Sequence, residues 1–450
     1  MSSFSSSSSS PPTSLSAPRI VIVSWGSYGD VYPYIGLGKA LRARGFDVRL
    51  ALPEFYRTMV EREGLAWRRV GPEIDVTDRA TIARVMDAVK GPETLIREWL
   101  MPALRQSYAE LMEATHDADL LVTHPATFAG PVIAEQRGLP WIATVLAPMS
   151  FFSPTDLPAL PAAPRLVHLR RLGPWFGRTL IGLARRQSLA WIEPLIDLRT
   201  ELRLPAHGHP LFEGQFSPTL NLALFSRVLA SPQPDWPANV HMTGFVFYNG
   251  PDPLSPALDA FLNAGPPPIV FTLGTSAVGA AGSFYEESAE AASRLGMRAV
   301  LLTGGFEENT PRRTSSPDIF LADLAPHQLL FPRAAAIVHQ GGIGTTGQAL
   351  RAGRPALIVP HSHDQPDNAF RVTNLGAART VFPRAYRAAR VARELARLVG
   401  EPGYAAKAAA IAEVVRTEDG AAAAAAAIAR AFPPTRFQPA AASSAPEWSS

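Results

Sequence analysis

A short apolar run, a glycine-bearing loop and then a helix-forming stretch recur along this chain, and no other feature restricts its fold as strongly. Arg19–Ser24 (Arg-Ile-Val-Ile-Val-Ser) is β-branched and apolar throughout, as expected of a strand buried on both faces. The loop Trp25–Pro33 follows, then a helical stretch Tyr34–Arg44 that Gly45 stops, then a second strand over Phe46–Leu52. Leu120–Thr123 repeats the pattern, with a loop opening at His124, a helix to Arg137 and a strand at Trp141–Val145. Beyond residue 268 it starts again. Ile269–Leu273 is a strand followed by Gly274-Thr275-Ser276, Phe284–Leu295 is a helix, and Ala299–Thr303, Ala335–His339 and Leu357–Pro360 are further strands.

Alternating strand and helix of this kind build doubly wound parallel sheets. The two series are separated by a proline-dense stretch that includes Pro232, Pro234, Pro237, Pro251, Pro253 and Pro266–Pro268. The expected organisation is α/β, with two Rossmann-like βαβ domains facing across a cleft. The first covers residues 19–230, a linker 231–268 and the second 269–432. Residues 1–18 and 433–450 are rich in Ser, Pro and Ala and read as disordered tails. The first of them lacks the basic and apolar regions of a secretory leader. No apolar run is long enough to span a bilayer, and the expected location is the cytoplasm.

Composition removes several classes of function. With no cysteine, the chain has no disulfide, no thiolate metal site and no cysteine nucleophile. A net charge of +3 from 42 basic and 39 acidic residues is no footprint for nucleic acid.

Ligands of open α/β sheets sit beyond the carboxyl ends of the strands. The richest such loop is His339-Gln-Gly-Gly-Ile-Gly-Thr-Thr-Gly347, after a strand and before a helix read at Gln348–Ala352. Gly341, Gly342 and Gly344 permit close backbone approach, and the N–H groups of the following helix with Thr345 and Thr346 form an anion site. His339 can donate to a phosphate oxygen. The segment is not a P-loop, since Gly-Lys-Ser/Thr is missing, and its glycine spacing is not that of the dinucleotide fingerprint. Gly26-Ser-Tyr-Gly29-Asp30 gives only Gly-x-x-Gly. Glu54 lies where a ribose ligand for NAD would be, but Asp30 puts a carboxylate where the pyrophosphate would sit.

His339-x-Gly-Gly-x-Gly-Thr-Thr, Ala352-Gly-Arg-Pro355, Val359-Pro360 and Asp364-Gln365-x-x-Asn368-Ala369 together resemble the nucleotide-sugar signature of the UDP-glycosyltransferase superfamily. Gly26-Ser-Tyr-Gly29-Asp30-Val-Tyr-Pro33 is similar to the acceptor-side loop of its sterol glucosyltransferase and rhamnolipid-type rhamnosyltransferase branches. The likeness covers about residues 19–430. It implies the GT-B architecture and inverting, metal-independent transfer of a hexose from a nucleotide sugar, of UDP-glucose or dTDP/UDP-rhamnose type, to a hydroxyl. No cofactor and no metal is implied. By this resemblance Gly274, Thr275, Ser276, His339, Gly341, Gly342, Gly344, Thr345 and Thr346 approach the diphosphate, with Gly29 from the other lobe. The loop Leu324–Gln328, with Pro326, His327 and Gln328, cradles the nucleobase, and Asp364 and Gln365 bind sugar hydroxyls. Where many relatives carry a ribose-binding glutamate, eight residues past the motif histidine, this chain has Gly347 and then Gln348.

Inverting transfer needs a base for the acceptor proton and stabilisation of the departing diphosphate. Asp30 is the candidate base and His124 its candidate partner; Asp30 also suits a helix cap, and His124 a loop cap. Phe151, Phe152, Trp175 and Trp191 are expected to line an apolar acceptor pocket for a sterol, polyketide, phenolic or hydroxy-fatty acid. Arg165, Arg170, Arg171, Arg178, Arg185 and Arg186 share that stretch, as either a membrane-surface helix or a solvated face. His361 and His363 lack further ligands at metal-site spacing and read as donor-loop residues. A nucleotide-sugar epimerase of the same fold and a non-catalytic nucleotide-sugar-binding partner are the competing readings.

Overall fold

The computed structural model describes residues 17–433, except 74, 76, 77, 206, 207 and 313–315. The two expected tails therefore lie outside the described residues apart from 17, 18 and 433.

Seven strands form the first sheet: β1 (Arg19–Val23), β2 (Asp47–Leu52), β3 (Ala66–Arg69), β4 (Leu120–Thr123), β5 (Trp141–Val145), β6 (Leu220–Ala223) and β7 (Val240–Met242). Their spatial order is β3-β2-β1-β4-β5-β6-β7. Six more form the second: β8 (Ile269–Thr272), β9 (Ala299–Leu302), β10 (Ile319–Ala322), β11 (Ala336–His339), β12 (Ala356–Ile358) and β13 (Ala378–Thr380), in the order β10-β9-β8-β11-β12-β13. Every neighbouring pair is parallel. The central strands are buried along almost their whole length, because helices cover both faces.

Strand order reverses between β1 and β4 in one sheet and between β8 and β11 in the other. A doubly wound sheet opens its ligand crevice at that switch. The four loops that begin at Ser24, His124, Leu273 and Gln340 stand at these two points, which is why the four motif segments meet.

Several boundaries differ from the sequence reading. The first helix spans Tyr28–Arg42, so Gly29 and Asp30 lie in its first turn rather than in a loop. Pro33 sits inside it and leaves the Gly29 carbonyl without its i+4 donor. The motif helix starts at Ile343, which brings Gly344, Thr345 and Thr346 into its first turn as well. The proline-dense stretch is more than a connection, since it supplies β7 and the buried Trp236. The alanine-rich helix Gly420–Ala431 returns to the first lobe, where Ala424, Ala425, Ala427 and Ile428 join the core around Val31 and Ile35.

A segment of the first lobe also crosses to the second. Met86, just after the helix Arg79–Val85, is buried in the second lobe's core beside Val278 and Tyr386. Burying a side chain of that size contributes about 1.5–3 kcal/mol. Arg79 Nε donates to the Gly279 carbonyl at 3.1 Å, and Ile82 packs over Gly279, where a Cβ would lie 3.1 Å from its Cδ1. This strap ties the lobes together beside the cleft.

Candidate active site

Asp30 is fixed by the turn that carries it. Its Oδ2 accepts from the Ser27 amide and the Ser27 hydroxyl, both at 2.8 Å. Gly26 makes room for this, with φ +131°; a Cβ there would lie 2.5 Å from the same Oδ2. The other oxygen, Oδ1, faces His124 Nε2 at 3.6 Å, and about a third of the side chain stays open to the cleft. His124 Nδ1 accepts from the Ala126 amide at 3.0 Å, which assigns the ring proton to Nε2, on the Asp30 side. Burial pushes the Asp30 carboxyl up, but His124 and the two Ser27 bonds outweigh it and hold it below the usual carboxylate range. Asp30 is thus an ionised acceptor at neutral pH, whose Oδ1 faces only the distant His124 Nε2 and keeps a lone pair for a further donor. Both nitrogens of His124 are engaged, so that residue serves to orient and polarise.

Across the cleft, the motif helix begins at Gly342, which offers no capping side chain. Asp364 Oδ2 takes the Ile343 amide at 3.2 Å, and the next amides, of Gly344 and Thr345, have no side-chain cap. His339 is buried, and its Nδ1 accepts from the Gly341 amide at 3.1 Å. Burial, with His327 nearby, lowers its pKa to about 3. It is therefore a neutral ring, with Nε2 left to donate a hydrogen bond. Gly274 (φ +59°) lies where any Cβ would strike Gln340 Nε2. At Gly341 (φ +91°) a Cβ would meet Ile358 Cγ2 at 2.8 Å and the Gln365 carbonyl at 3.1 Å. Gln340 Oε1, Thr346 Oγ1 and Asn368 Oδ1 are buried without a protein partner, a state that costs about 1–3 kcal/mol per group unless a ligand supplies the bond.

The two lobes touch where these features meet. A Cβ on Gly344 would lie 3.1 Å from the Gly29 Cα, and the Tyr28 amide donates to Thr275 Oγ1 at 3.3 Å. Asp364 stands close enough to Asp30 to feel its charge: burial first, and that charge second, raise its pKa to about 7. Gln365 Oε1 accepts from the amides of His361 (2.9 Å) and Ser362 (3.4 Å), which stiffens the loop. The strap holds the same loop from the first lobe, with Ser362 Oγ on the Asp87 carbonyl at 2.8 Å and His363 Nε2 on that of Val85 at 3.0 Å. His361 Nδ1 bonds the Val359 carbonyl, so the two histidines are loop braces rather than a pair of ligands. Among the described residues no group of three or more His, Asp or Glu is placed to hold a metal. His327 stacks on Phe331 at 4.3 Å, with its pKa lowered to about 4 by burial, and Gln328 donates to the Asn249 carbonyl. Gly347, at the position of the relatives' glutamate, is packed against Phe245, 3.0 Å from where a Cβ would stand.

The four aromatic residues expected to share an acceptor pocket do not come together. Phe151 is a core residue stacked on Trp236 at 3.9 Å; Phe152 packs on Phe212; Trp191 leans on the core below the first sheet; and Trp175 is 60% exposed. A pocket that reaches His124, the neighbour of Asp30, has other walls. A cavity of about 220 Å³ opens at His124, lined chiefly by Pro125, Phe128, Pro131, Leu195, Ile196 and Leu204. Its lining comes from two helices and a loop distant in sequence, and no local pattern signals it. Ser27, by contrast, was legible: Ser27-x-x-Asp30 is a helix-start signature.

Residues 20–151 match the model described as the glycosyltransferase family 28 N-terminal domain, and residues 305–428 that of the erythromycin biosynthesis protein CIII-like C-terminal domain. The chain is 33% identical over 415 residues to O-mycaminosyltylonolide 6-deoxyallosyltransferase of Streptomyces fradiae, across 89% of this chain and 94% of that protein. It belongs to the UDP-glycosyltransferase superfamily. This glycosyltransferase is also 28% identical over 442 residues to a sterol 3-beta-glucosyltransferase of Cryptococcus neoformans, covering 89% of this chain but 26% of that much longer protein. Among solved structures, the calicheamicin glycosyltransferase CalG4 superposes with a TM-score of 0.68 at 18% identity, covering 94% of this chain and all of that one. Glycosyltransferase VinC in complex with DTDP gives a TM-score of 0.63 at 22% identity, over 93% and 100% of the two chains. The two-lobed arrangement is the GT-B fold, and the protein is a GT-B glycosyltransferase.

Proposed function

We propose that this glycosyltransferase moves a hexose from a nucleoside diphosphate sugar to a hydroxyl of a lipophilic small molecule, with inversion and without a metal. One observation carries the reading. An ionised carboxylate on the first lobe and a helix N-terminus on the second, capped by Asp364 only at the Ile343 amide, meet across the contact between Gly29 and Gly344. In this scheme Asp30 Oδ1 takes the proton from the attacking hydroxyl, while the Ser27 bonds and His124 hold the carboxylate in place. The amides of Gly344 and Thr345, the Thr346 hydroxyl and the neutral His339 receive charge developing on the departing diphosphate. Asp364 and Gln365 lie beside that helix start, where the transferred sugar would sit. The apolar body of the acceptor fits the cavity at His124. A nucleotide sugar as donor agrees with VinC having been solved with DTDP, and a macrolide or sterol-like acceptor with the names of the relatives.

The test is direct. The full chain is incubated with UDP- or dTDP-hexose and a panel of macrolactone, sterol and phenolic alcohols, with and without EDTA, and the anomeric configuration of any glycoside is read by NMR. An inverted glycoside formed equally in EDTA is expected. Retention, a requirement for divalent metal, or epimerisation of the donor with no glycoside would contradict the reading.

A further inference from the structure

Between Asp156 and Glu193 the chain contains no acidic residue and six arginines, although its overall charge is close to balanced. The middle of this stretch is the helix Pro174–Ser188. Gly177, Ile181 and Ser188 turn inward and are buried, while Trp175, Arg178, Thr179, Gly182, Leu183 and Arg186 occupy the opposite, exposed face. Leu172 (47%), Trp175 (60%), Leu183 (62%) and Leu189 (46%) are among the most exposed large apolar side chains of the described residues.

Most of the arginines here lack the partner found for many arginines on other surface helices. On several other surface helices an exposed arginine is matched one turn away, as in Arg57–Glu61, Arg294–Glu290 and Arg397–Glu401. In this stretch Arg185 pairs with Glu213, and Arg170 lies 4.0 Å from Asp156 and over the Phe370 ring. Arg165, Arg171, Arg178 and Arg186 have no carboxylate within ion-pair distance among the described residues. A solvated face gains nothing from tryptophan and leucine interleaved with unpaired arginine. A helix lying in the plane of an anionic bilayer gains from both, the rings and alkyl chains entering the headgroup boundary while the guanidinium groups meet lipid phosphate. The same surface runs into the site: Leu189, exposed at the end of the helix, also lines the cavity at His124, as does the half-open Ile196.

We propose that the face Leu172–Leu189 docks this protein on an anionic lipid surface, with the mouth of the His124 cavity turned toward the bilayer. The docking follows from the surface alone. Only the delivery of a lipophilic acceptor through the mouth rests on the function proposed above.

The test is co-sedimentation of the full chain with vesicles of phosphatidylcholine, with and without phosphatidylglycerol. Retention on the phosphatidylglycerol vesicles at about 0.1 M salt and release at about 1 M is expected, as charges at a surface are screened over roughly 10 Å and 3 Å respectively. A variant carrying Arg171→Gln, Arg178→Gln and Arg186→Gln should bind on the order of 100-fold more weakly. The charge-matched control Arg57→Gln, Arg294→Gln, Arg397→Gln should bind within a few-fold of the parent. Trp175→Ala should weaken retention without changing its salt dependence. Absence of vesicle binding by the parent, or an equal loss in the two triple variants, would overturn the proposal. Sedimentation by a protein that glycosylates nothing would leave docking standing and fault the function instead. Glycosylation of a soluble alcohol without sedimentation would do the reverse.

Discussion

The starts of the helices at Tyr28 and Ile343 are the same local device put to opposite uses. Each follows a buried parallel strand at the switch point of its sheet, each has glycines in its turn, and each aims its first amides into the cleft. Asp30, from within the first helix, folds back over Gly26 and bonds Ser27, so that turn already holds an anion of its own. The second starts on Gly342, which has no side chain to fill the place; Asp364 takes the Ile343 amide alone, and the Gly344 and Thr345 amides and the Thr346 hydroxyl are left unmatched. A helix N-terminus favours negative charge wherever it occurs. In the function proposed above, what separates the base from the diphosphate site is whether the chain supplies that charge or leaves it to the ligand.

The sharpest way to break this contrast is to neutralise the internal anion. Asp30→Asn keeps the Ser27 bonds within reach of the side-chain amide but removes the proton acceptor. Turnover should fall by about 10²- to 10⁴-fold, the range for a lost general base, read as kcat with saturating donor and acceptor. Turnover within tenfold of the parent would take Asp30 out of the chemistry. Gly26→Ala acts on the same group by displacement: its Cβ would stand 2.5 Å from Oδ2, too close for both to keep their places, and φ is +131°. We expect kcat lower by up to about 10²-fold, as for a misplaced catalytic group, and a melting temperature lowered by strain of about 1–3 kcal/mol. Unchanged kinetics would show that the carboxylate need not lie over Gly26.

The smallest effect concerns Asp364, which faces the internal anion from the second lobe. Its folded-state pKa, raised to about 7, lies above the unfolded value, so between about pH 4 and 7 the folded chain holds a proton that the unfolded chain has lost. Its contribution to stability is present at low pH and is lost as pH rises to 7. The neutral His327, His339 and His361 slope the other way over part of that range. The informative quantity is therefore the difference between variant and parent. Asp364→Asn should gain melting temperature relative to the parent progressively from pH 4 to 7, and a flat difference would mean that burial and Asp30 together do not raise the Asp364 pKa.

Much of this was legible in sequence because the physics is local. A strand buried on both faces is a continuous apolar run, and Ile269–Leu273 and Trp141–Val145 fall within a residue of β8 and β5. The helix Phe284–Leu295 is matched at both ends because Gly296, at φ +62°, closes it in the left-handed conformation. The glycines, threonines and histidine of the proposed donor side were legible too, because they are contiguous over residues 339–346 at one strand end and helix start. Edge strands were not: β3 is Ala-Trp-Arg-Arg, mostly exposed, and β7 is three half-buried residues, so neither bears an apolar run. Nor was the cavity proposed for the acceptor, which joins residue 123 to residue 215, while the aromatics expected there serve the core or the surface. Met86 looks like any helix-end methionine until tertiary structure places it in the other lobe.

The claim that one helix start supplies its own anion while the other waits for the ligand's is tested most directly by calorimetric titration of dTDP into two variants. Asp30→Asn should bind within about twofold of the parent, because the nucleotide does not use that turn. Gly342→Asp gives the second helix the kind of plug the first already has: φ −59° and ψ 144° suit any residue, and only the Gln340 amide stands near, 3.0 Å from the new Cβ. It should keep the fold within about 0.5 kcal/mol, since glycine and aspartate differ little as caps, yet weaken dTDP at least about tenfold by repelling the diphosphate. Loss of affinity in Asp30→Asn together with undiminished binding by a folded Gly342→Asp would contradict the account.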